Sequence, residues 1–243
     1  MAAMTSISLT IADKRYPSVG GAPAREIFHD FRLDVAAHEF VVLLGASGLG
    51  KTTLLNIVAG LDTAFRGDVN FGSPSPRIAY AFQSPRLLPW RTVLENVVLP
   101  LPSGPAAREG GLAMLHEVGL ADLADAYPER LSLGQQRRVA LARAFVIGPD
   151  VLLMDEPFVS LDEASATRLR LLLRSLLLKR AATVLFVTHD GNEAAALASR
   201  IVLLEGAPAR VALDVVDDLT PQDRASTARV EAFRRRVGLS VAD

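Results

Sequence analysis

The sequence predicts an α/β fold with a mostly parallel sheet, an N-terminal antiparallel β subdomain and an inserted α-helical subdomain. The first observation is a set of continuous apolar runs, typical of strands buried on both faces of a parallel sheet: FVVLLG, DVLLMDE, ATVLFVTH and RIVLLEG. The second is that helical segments separate these runs, as the crossover connections of a parallel sheet require. The third is SISLTIAD near the N-terminus, where apolar and polar residues alternate as in an antiparallel strand with one covered face.

The remaining elements follow from local signals. Residues 93–130 lack strand signals and hold short helical pieces around SGP, GG and YPER, which indicates a helical insertion. The stretch RASTARVEAFRRRVGL indicates a weak terminal helix. Other helices are predicted over residues 52–59, 135–146 and 163–180. We expect one domain over residues 1–243, made of a core (1–90 and 148–205), a helical subdomain (about 91–147) and a tail (206–243).

Composition excludes several classes of protein. With 243 residues, 50% of them hydrophobic, the chain can bury a full core and is not expected to be disordered. The formal net charge of −1 argues against a protein that holds nucleic acid by bulk electrostatics. Cysteine is absent, which excludes disulfides and thiolate metal sites and fits a reducing compartment. We expect no signal peptide, because no basic segment precedes an apolar one, and no membrane span, because Arg170 and Arg174 interrupt the most apolar helix.

Residues 45–52, GASGLGKT, lie between a buried strand and a helix and match the pattern G-x-x-x-x-G-K-T. Glycines let the backbone curl so that successive N–H groups face an anion, and the following helix adds the positive end of its dipole. Lys51 can reach the β and γ phosphates of a nucleotide, and the hydroxyl of Thr52 can ligate Mg²⁺. This predicts a P-loop NTPase core; the alternative is a glycine-rich turn without a ligand. The expected nucleotide contacts are Gly45, Ala46, Ser47, Gly48, Leu49, Gly50, Lys51, Thr52 and Thr53.

Two adjacent carboxylates end a second buried strand, in VLLMDEP. Asp155 is placed to hold Mg²⁺ directly or through water. Glu156 can act as general base on the water that attacks the γ phosphate. The alternative is that both are solvated loop acids or cap a following helix.

The stretch LSLGQQ, residues 131–136, precedes an arginine-rich apolar segment. Ser132 and Gln135 have the spacing of a capping box, in which each side chain accepts from the backbone N–H of the other residue. Gly134 is unfavourable in a first helical turn, and Arg137 with Arg138 places positive charge near the positive end of the helix dipole. We therefore expect a negative group to approach this helix start.

Together these residues resemble the nucleotide-binding subunits of ATP-binding cassette (ABC) transporters over nearly the whole chain. The phosphate loop and VLLMDEP are similar to Walker A and Walker B, LSLGQQ to the family signature, SLD at 160–162 to the D-loop, and VTHD to the switch-histidine strand. The glutamine loop looks like YAFQSPRLLPW. The resemblance implies that two copies sandwich two ATP molecules, each between one copy's phosphate loop and the other copy's signature, through Ser132, Gly134 and Gln135.

The resemblance also implies roles for single residues, each with a plainer alternative. Gln83 would contact Mg²⁺ or the attacking water and relay the nucleotide state to a membrane subunit; otherwise it is a polar surface residue. His189 would contact the γ phosphate and orient that water, or be a structural histidine. Asp162 would keep the opposing copy's site in register, or simply begin a helix. Tyr16 looks like the aromatic residue that stacks on adenine, with ordinary half-buried packing as the alternative.

FQSPRLLPW and RGDVNFGSPSPRIAYAFQ look closest to the nitrate, sulfonate and taurine import branch of the family. This implies a subunit on the cytoplasmic face of the inner membrane that hydrolyses MgATP as a dimer. It would drive uptake of a small anion through a separate permease, with an extracytoplasmic solute-binding protein as an indirect partner and no nucleic acid. The cargo itself is not identified by the sequence.

Two alternatives and two departures from the family pattern remain. A soluble ABC ATPase of DNA repair or translation usually carries a coiled-coil insertion or a second cassette, and a nucleoside or shikimate-type kinase would have no use for LSLGQQ. Leu133 stands where the family usually has the first signature glycine, and His38 with Glu39 replaces the usual Gly-Glu before the first buried strand. The second departure is expected to be harmless, and the first to slow hydrolysis or loosen the closed dimer.

Overall fold

The computed structural model describes residues 5–18, 20–21, 23–224 and 226–238. Contacts divide the chain into two compact units: Met1–Ser75 with Thr183–Asp243, and Pro76–Ala182. We call the first the phosphate-loop unit and the second the signature unit, after the loops they carry. The predicted subdomain boundaries near residues 91 and 147 stay a prediction.

The phosphate-loop unit contains an antiparallel sheet in which β1 (Ile7–Tyr16) lies between β2 (Arg25–Val35) and β4 (Arg66–Phe71). Along β1, Ile7, Leu9 and Ile11 are buried while the residues between them are exposed or half-buried. The alternation predicted for SISLTIAD is therefore confirmed, because one face of this sheet is covered.

The same unit contains a parallel sheet centred on β3 (Phe40–Leu44). Its neighbours β7 (Thr183–Thr188) and β8 (Arg200–Glu205) both run parallel to it, and β9 (Arg210–Val216) runs antiparallel at the edge of β8. All of β7 and all of β3 after its first residue are buried, as their continuous apolar runs predict. The helices of this unit are α1 (Lys51–Val58), α6 (Gly191–Leu197), α7 (Pro221–Arg224) and α8 (Thr227–Arg236).

In the signature unit, β5 (Ile78–Ala81) pairs in parallel with β6 (Val151–Asp155). Residues 93–130 form helices and 3-10 turns joined by loops, with no strand, so the predicted helical insertion is confirmed. The helices of the unit are α2 (Val93–Val98), α3 (Pro105–Glu117), α4 (Leu133–Phe145) and α5 (Glu163–Lys179).

The polar tail contains more structure than its composition predicts. Strand β9 lies within it, because alternating Val211, Leu213 and Val215 can pair along an edge strand despite charged neighbours. Helix α8 confirms the predicted terminal helix; its Val230 and Phe233 are buried, and Arg234 Nη1 donates to Asn192 Oδ1 in α6 at 2.5 Å. Packing accounts for the described part of the tail.

No helix in the described part of the chain combines the length and the apolar character needed to cross a bilayer. His38 has φ 62°, in the left-handed region where glycine is favoured, which accounts for the glycine that the family usually has at this position. Its backbone N–H donates to Thr183 Oγ1 at 2.9 Å, which holds the turn before β3.

Candidate active site

The phosphate loop depends on glycine at its two ends. Gly50, which precedes α1, has φ 89°, and a Cβ there would lie 2.3 Å from Ile27 Cγ2. Gly45, which follows β3, has φ 152°, and a Cβ there would lie 2.7 Å from the Leu204 carbonyl oxygen. Both backbone conformation and space therefore exclude a side chain at these positions.

Lys51 closes the loop on itself. It is 4% exposed, and its Nζ donates to the carbonyl oxygens of Gly45 at 2.6 Å and Ala46 at 2.8 Å. Arg25 Nη2 donates to the Gly48 carbonyl oxygen at 2.5 Å. Arg25 is not among the predicted site residues, because no sequence motif marks a residue on β2 as a partner of the loop.

The start of α1 is arranged to receive an anion. Gly50 provides no side-chain cap, and the first turn of α1 carries no acidic residue. The positive end of the helix dipole is thus not offset by a side chain of its own first turn. A helix start of this kind, after a curled glycine loop, is a phosphate-binding structure.

Tyr16 lies beside α1. Its hydroxyl is 3.1 Å from Thr53 Oγ1 and donates to Asp62 Oδ2 at 3.3 Å, and the ring centroid is 4.6 Å from Lys14 Nζ. The side chain is nevertheless 41% exposed. The structure therefore places Tyr16 next to the phosphate-loop helix with part of its surface open to solvent, and adenine stacking stays a prediction.

His189 follows β7 at the same sheet edge as the phosphate loop. Leu44 and Thr188 are register partners, so Gly45 and His189 leave adjacent parallel strands side by side. The turn is held by Thr188: its Oγ1 accepts from Asp190 N at 3.0 Å and donates to Glu193 Oε2 at 2.6 Å. His189 itself is exposed.

In the signature unit, Gln83 and the two acidic residues lie at or after the ends of neighbouring strands. Ala81 and Met154 are register partners at the ends of β5 and β6, so Gln83 and Asp155 both follow that point along neighbouring strands. Gln83 is exposed and Asp155 is 5% exposed. Burial, with the Asp155 charge as a second cause, raises the pKa of the Tyr80 hydroxyl.

The segment after β6 adopts backbone conformations that non-glycine residues rarely take. Glu156 has φ 43° and Ser160 has φ 64°. Each such residue costs about 1–2 kcal/mol and persists only where its surroundings impose it. Strain of this kind clusters at functional sites, and here it lies at the predicted general base and at the D-loop.

The signature forms the predicted capping box. Ser132 Oγ accepts from Gln135 N at 3.3 Å, and Gln135 Oε1 accepts from Ser132 N at 2.8 Å. A Cβ on Gly134 would meet only Ser165, at 3.8 Å, so packing within this unit does not require the glycine. Leu133 is 37% exposed. The helix start therefore presents an open surface on which Leu133 is the largest apolar group.

Asp162 begins α5, as the plainer of its two interpretations predicts. Its Oδ1 accepts from Ser165 N at 2.9 Å. Hydrogen bonds from the Ser165 side chain and backbone lower the pKa of the Asp162 carboxyl below its usual range. A role for Asp162 toward a second copy stays a prediction.

Arg137 and Arg138, near the start of α4, both donate to backbone carbonyls of the signature unit, and the approach of a negative group to this helix start stays a prediction. Arg137 is 6% exposed and its Nη2 donates to the Val159 carbonyl oxygen at 3.0 Å. Arg138 Nη1 donates to the Val118 carbonyl oxygen at 3.2 Å. Long arginine side chains reach back from a helix start, so their position in the sequence does not determine where the charge lies.

The comparisons with known proteins decide the family: the ABC transporter family description matches residues 28–159. The chain belongs to the ABC transporter family. It is 48% identical over 200 residues to an aliphatic sulfonates import ATP-binding protein from Mycobacterium sp. (strain MCS), covering 81% of this chain and 80% of that protein. A protein of the same name from Cupriavidus pinatubonensis is 48% identical over 186 residues; there the match covers 74% of this chain but 62% of the relative's length.

Solved structures of this family resemble the chain as well. A dimeric bacterial ABC transporter cassette has a TM-score of 0.77 and 32% identity, covering 88% of this chain and 100% of the other. A dimeric post-hydrolysis cassette bound to ADP and phosphate has a TM-score of 0.76 and 31% identity. The predicted family and α/β cassette fold are confirmed, and membership implies that the chain binds ATP. Both sequence relatives are named as import ATP-binding proteins.

Proposed function

We propose that this chain is the ATP-hydrolysing subunit of an importer for aliphatic sulfonates or similar small anions such as nitrate or taurine. The observation that carries the proposal is the phosphate loop, with its buried Lys51 and the uncapped start of α1. The relatives named as sulfonate import ATP-binding proteins support the cargo class. The subunit acts at the cytoplasmic face of the inner membrane, with a permease and, indirectly, a solute-binding protein as partners.

The residues predicted to hold Mg²⁺ fit that ion. Thr52, Gln83 and Asp155 offer a hydroxyl, an amide and a carboxylate oxygen, and Mg²⁺ prefers oxygen ligands. A cation would also offset the cost of burying the Asp155 carboxylate, which is 5% exposed. When bound, the ion neutralises charge on the transferring phosphoryl group.

The chain's own side chains divide the remaining work. The Lys51 ammonium carries a fixed positive charge to the β and γ phosphates. The Glu156 carboxylate accepts a proton from the attacking water, and His189 orients that water beside the γ phosphate. Tyr16 stacks on the adenine ring.

A second copy completes the arrangement. Ser132, Gly134 and Gln135 of one copy contact the nucleotide held by the phosphate loop of the other, and Asp162 keeps the two in register. The open surface at the start of α4 supports this, since nothing within the signature unit requires Gly134. The dimeric cassettes among the solved relatives support it as well.

The permease binds the signature unit. A groove of about 300 Å³ lies between α2 and α3. At one end of it Leu99 is 46% exposed, and Trp90, which precedes α2, is 71% exposed. Exposed apolar surface of this kind marks sites of protein association. The groove is lined by Arg91, Leu94, Glu95, Val98, Leu99 and Arg108, among others.

Two experiments test the proposal. Glu156→Gln should reduce ATP turnover at least about a hundredfold while ATP still binds, because general base catalysis contributes ~10²–10⁴ in rate. Glu129→Gln, which neutralises an exposed carboxylate of the same unit, should turn over ATP normally. Normal turnover by Glu156→Gln would remove the base assignment. A pull-down from membranes that recovers no permease would favour the soluble alternative.

A further inference from the structure

Helix α4, which carries the signature at its start, is joined to the glutamine loop by hydrogen bonds from an arginine. Arg143 Nη2 donates to the Pro85 carbonyl oxygen at 2.7 Å, and Nη1 donates to the Arg86 carbonyl oxygen at 2.9 Å. The two carbonyls belong to consecutive residues, so the planar guanidinium spans both. Only arginine offers two donors in such a fixed fork.

The contact is unusual in its energetics. Burial lowers the pKa of Arg143, so the surroundings disfavour the charge that the side chain carries. The hydrogen-bond acceptors are neutral carbonyls, and these offset desolvation less well than a carboxylate does. Arg143 is half-buried and its hydrogen-bond partners are carbonyls, not a carboxylate. We therefore expect it to position the loop rather than to stabilise the fold as an ion pair does.

The glutamine loop is also held by aromatic and cation–π contacts around Gln83. On its N-terminal side, the rings of Tyr80 and Phe82 stack with centroids 4.0 Å apart and planes 18° apart. The Arg86 guanidinium covers Phe82 at 3.8 Å from the ring centroid, and Arg86 has φ 45°. The backbone is thus held immediately before Gln83 and again two residues after it, while the Gln83 side chain is exposed.

The same helix reaches the D-loop as well. Arg137 Nη2 donates to the Val159 carbonyl oxygen, one residue before Ser160. Its Nε and Nη1 have no hydrogen-bond partner among the described residues, although they are buried. Arg137 and Phe82 both line an internal cavity of about 20 Å³. Helix α4 therefore contacts both the glutamine loop and the segment just before the D-loop.

We propose that Arg143 is a positioning residue that ties the glutamine loop to the signature helix, so that Gln83 and Ser132 move as parts of one body. The proposal rests on the function proposed above for Gln83. A displacement imposed on the glutamine loop by a membrane partner is transmitted through the Arg143 fork to α4, and from there to the signature. Loss of the fork leaves the phosphate loop, in the other unit, with its own contacts intact.

The experiment compares Arg143→Gln with Arg77→Gln as a matched control. Arg77 also contacts a carbonyl, that of Ile147 at 3.0 Å, and Asp150, but at the opposite end of β5 from the glutamine loop. In the nucleotide-free protein, amide hydrogen exchange over residues 83–88 should rise in Arg143→Gln and stay unchanged in Arg77→Gln. Unchanged exchange in Arg143→Gln would overturn the proposal whatever the protein's activity.

Kinetics supply a second readout. In Arg143→Gln, kcat for ATP should fall about tenfold with KM for ATP within about twofold, because a displaced group costs rate rather than ground-state binding. In a Gln83→Ala background the same substitution should cost less than about twofold, because the two residues act through one contact. Equal losses in both backgrounds, or an inert Gln83→Ala, would overturn the proposal. Turnover lost in Glu156→Gln but kept in Gln83→Ala would leave the ATPase assignment standing.

The variant Arg143→Lys distinguishes loss of the paired hydrogen bonds from misfolding. A lysine keeps the charge and one hydrogen bond but cannot span two carbonyls. It should unfold at the temperature of the unaltered protein and show an intermediate kcat. A folded Arg143→Lys with full kcat and protected residues 83–88 would contradict the need for a fork.

Discussion

The starts of α1 and α4 both lie at loops predicted to meet phosphate, but they are built differently. Helix α1 follows a left-handed Gly50, with no side-chain cap and no acidic residue in its first turn. Helix α4 follows Ser132, whose side chain exchanges hydrogen bonds with Gln135. The first start therefore lacks a cap from its own side chains, whereas the second is capped by its own residues.

This difference separates two kinds of contribution to nucleotide binding. Affinity within one copy should reside in the phosphate loop, because the first turn of α1 has no side-chain cap and no acidic residue, so its dipole favours an anion. The signature has a capping box formed by its own residues and presents an open surface around Gly134. Substitutions at the two helix starts should therefore affect different measurements.

The largest effect is expected from Gly50→Ala. Alanine would hold a strained left-handed conformation and place Cβ 2.3 Å from Ile27 Cγ2, so the loop must open. Strain of about 1–3 kcal/mol corresponds to a loss of affinity of about 5-fold to 150-fold. A titration with a fluorescent ATP analogue measures it.

Gly60→Ala is the matched control for Gly50→Ala. Gly60 also has a positive φ, 70°, but a Cβ there would meet nothing within 4 Å. The Gly60→Ala variant should bind the fluorescent ATP analogue with the affinity of the unaltered protein. Equal affinities for all three proteins would show that the Gly50 geometry does not govern binding.

The next effect concerns the capping box. Ser132→Ala should lower the free energy of unfolding by about 1 kcal/mol, which is ~2–4 °C in Tm for a chain of this size. Affinity of the monomer for the ATP analogue should not change, because α1 is untouched. Calorimetry and the same titration measure the two quantities. A parallel fall in affinity would contradict the separation drawn between the helix starts.

A smaller effect is expected from Leu133→Gly. Removing this 37% exposed side chain should leave nucleotide binding by the monomer unchanged and raise ATP-driven dimerisation or turnover by roughly a few-fold, since it relieves crowding at a contact surface. Sedimentation velocity with ATP in a Glu156→Gln background measures dimerisation. An unaffected dimer equilibrium and turnover would mean that the leucine is tolerated.

The smallest effect is expected at α5, whose N-cap residue, Asp162, is titratable. Hydrogen bonds from Ser165 lower the pKa of Asp162, so the folded state favours the carboxylate. Its contribution to stability is present above the unfolded value of about 3.9 and is lost as the pH falls through the lowered folded value. Asp162→Asn should flatten Tm against pH in this acid range, while Ser132→Ala leaves the slope unchanged. An unaltered slope in Asp162→Asn would exclude the cap as its source.

Much of the candidate site was predictable because its signals are local. The spacing of Ser132 and Gln135 predicted the capping box, and the glycines around Lys51 predicted the curled loop. The contact of Arg137 was not predictable, because a long side chain can turn toward a distant carbonyl, here that of Val159. Strand β9 was missed because charged residues in the tail conceal its alternation.

By itself, the sequence determined the family, the phosphate loop and the helix caps, since each depends on residues a few positions apart. Only the tertiary structure decided which loops the arginines of α4 hold, because Arg143 and Pro85 are 58 positions apart. It also decided that Gly45 and His189 share a sheet edge, through the pairing of Leu44 with Thr188. Such contacts depend on how distant segments of the chain pack together, and the sequence around each residue does not determine them.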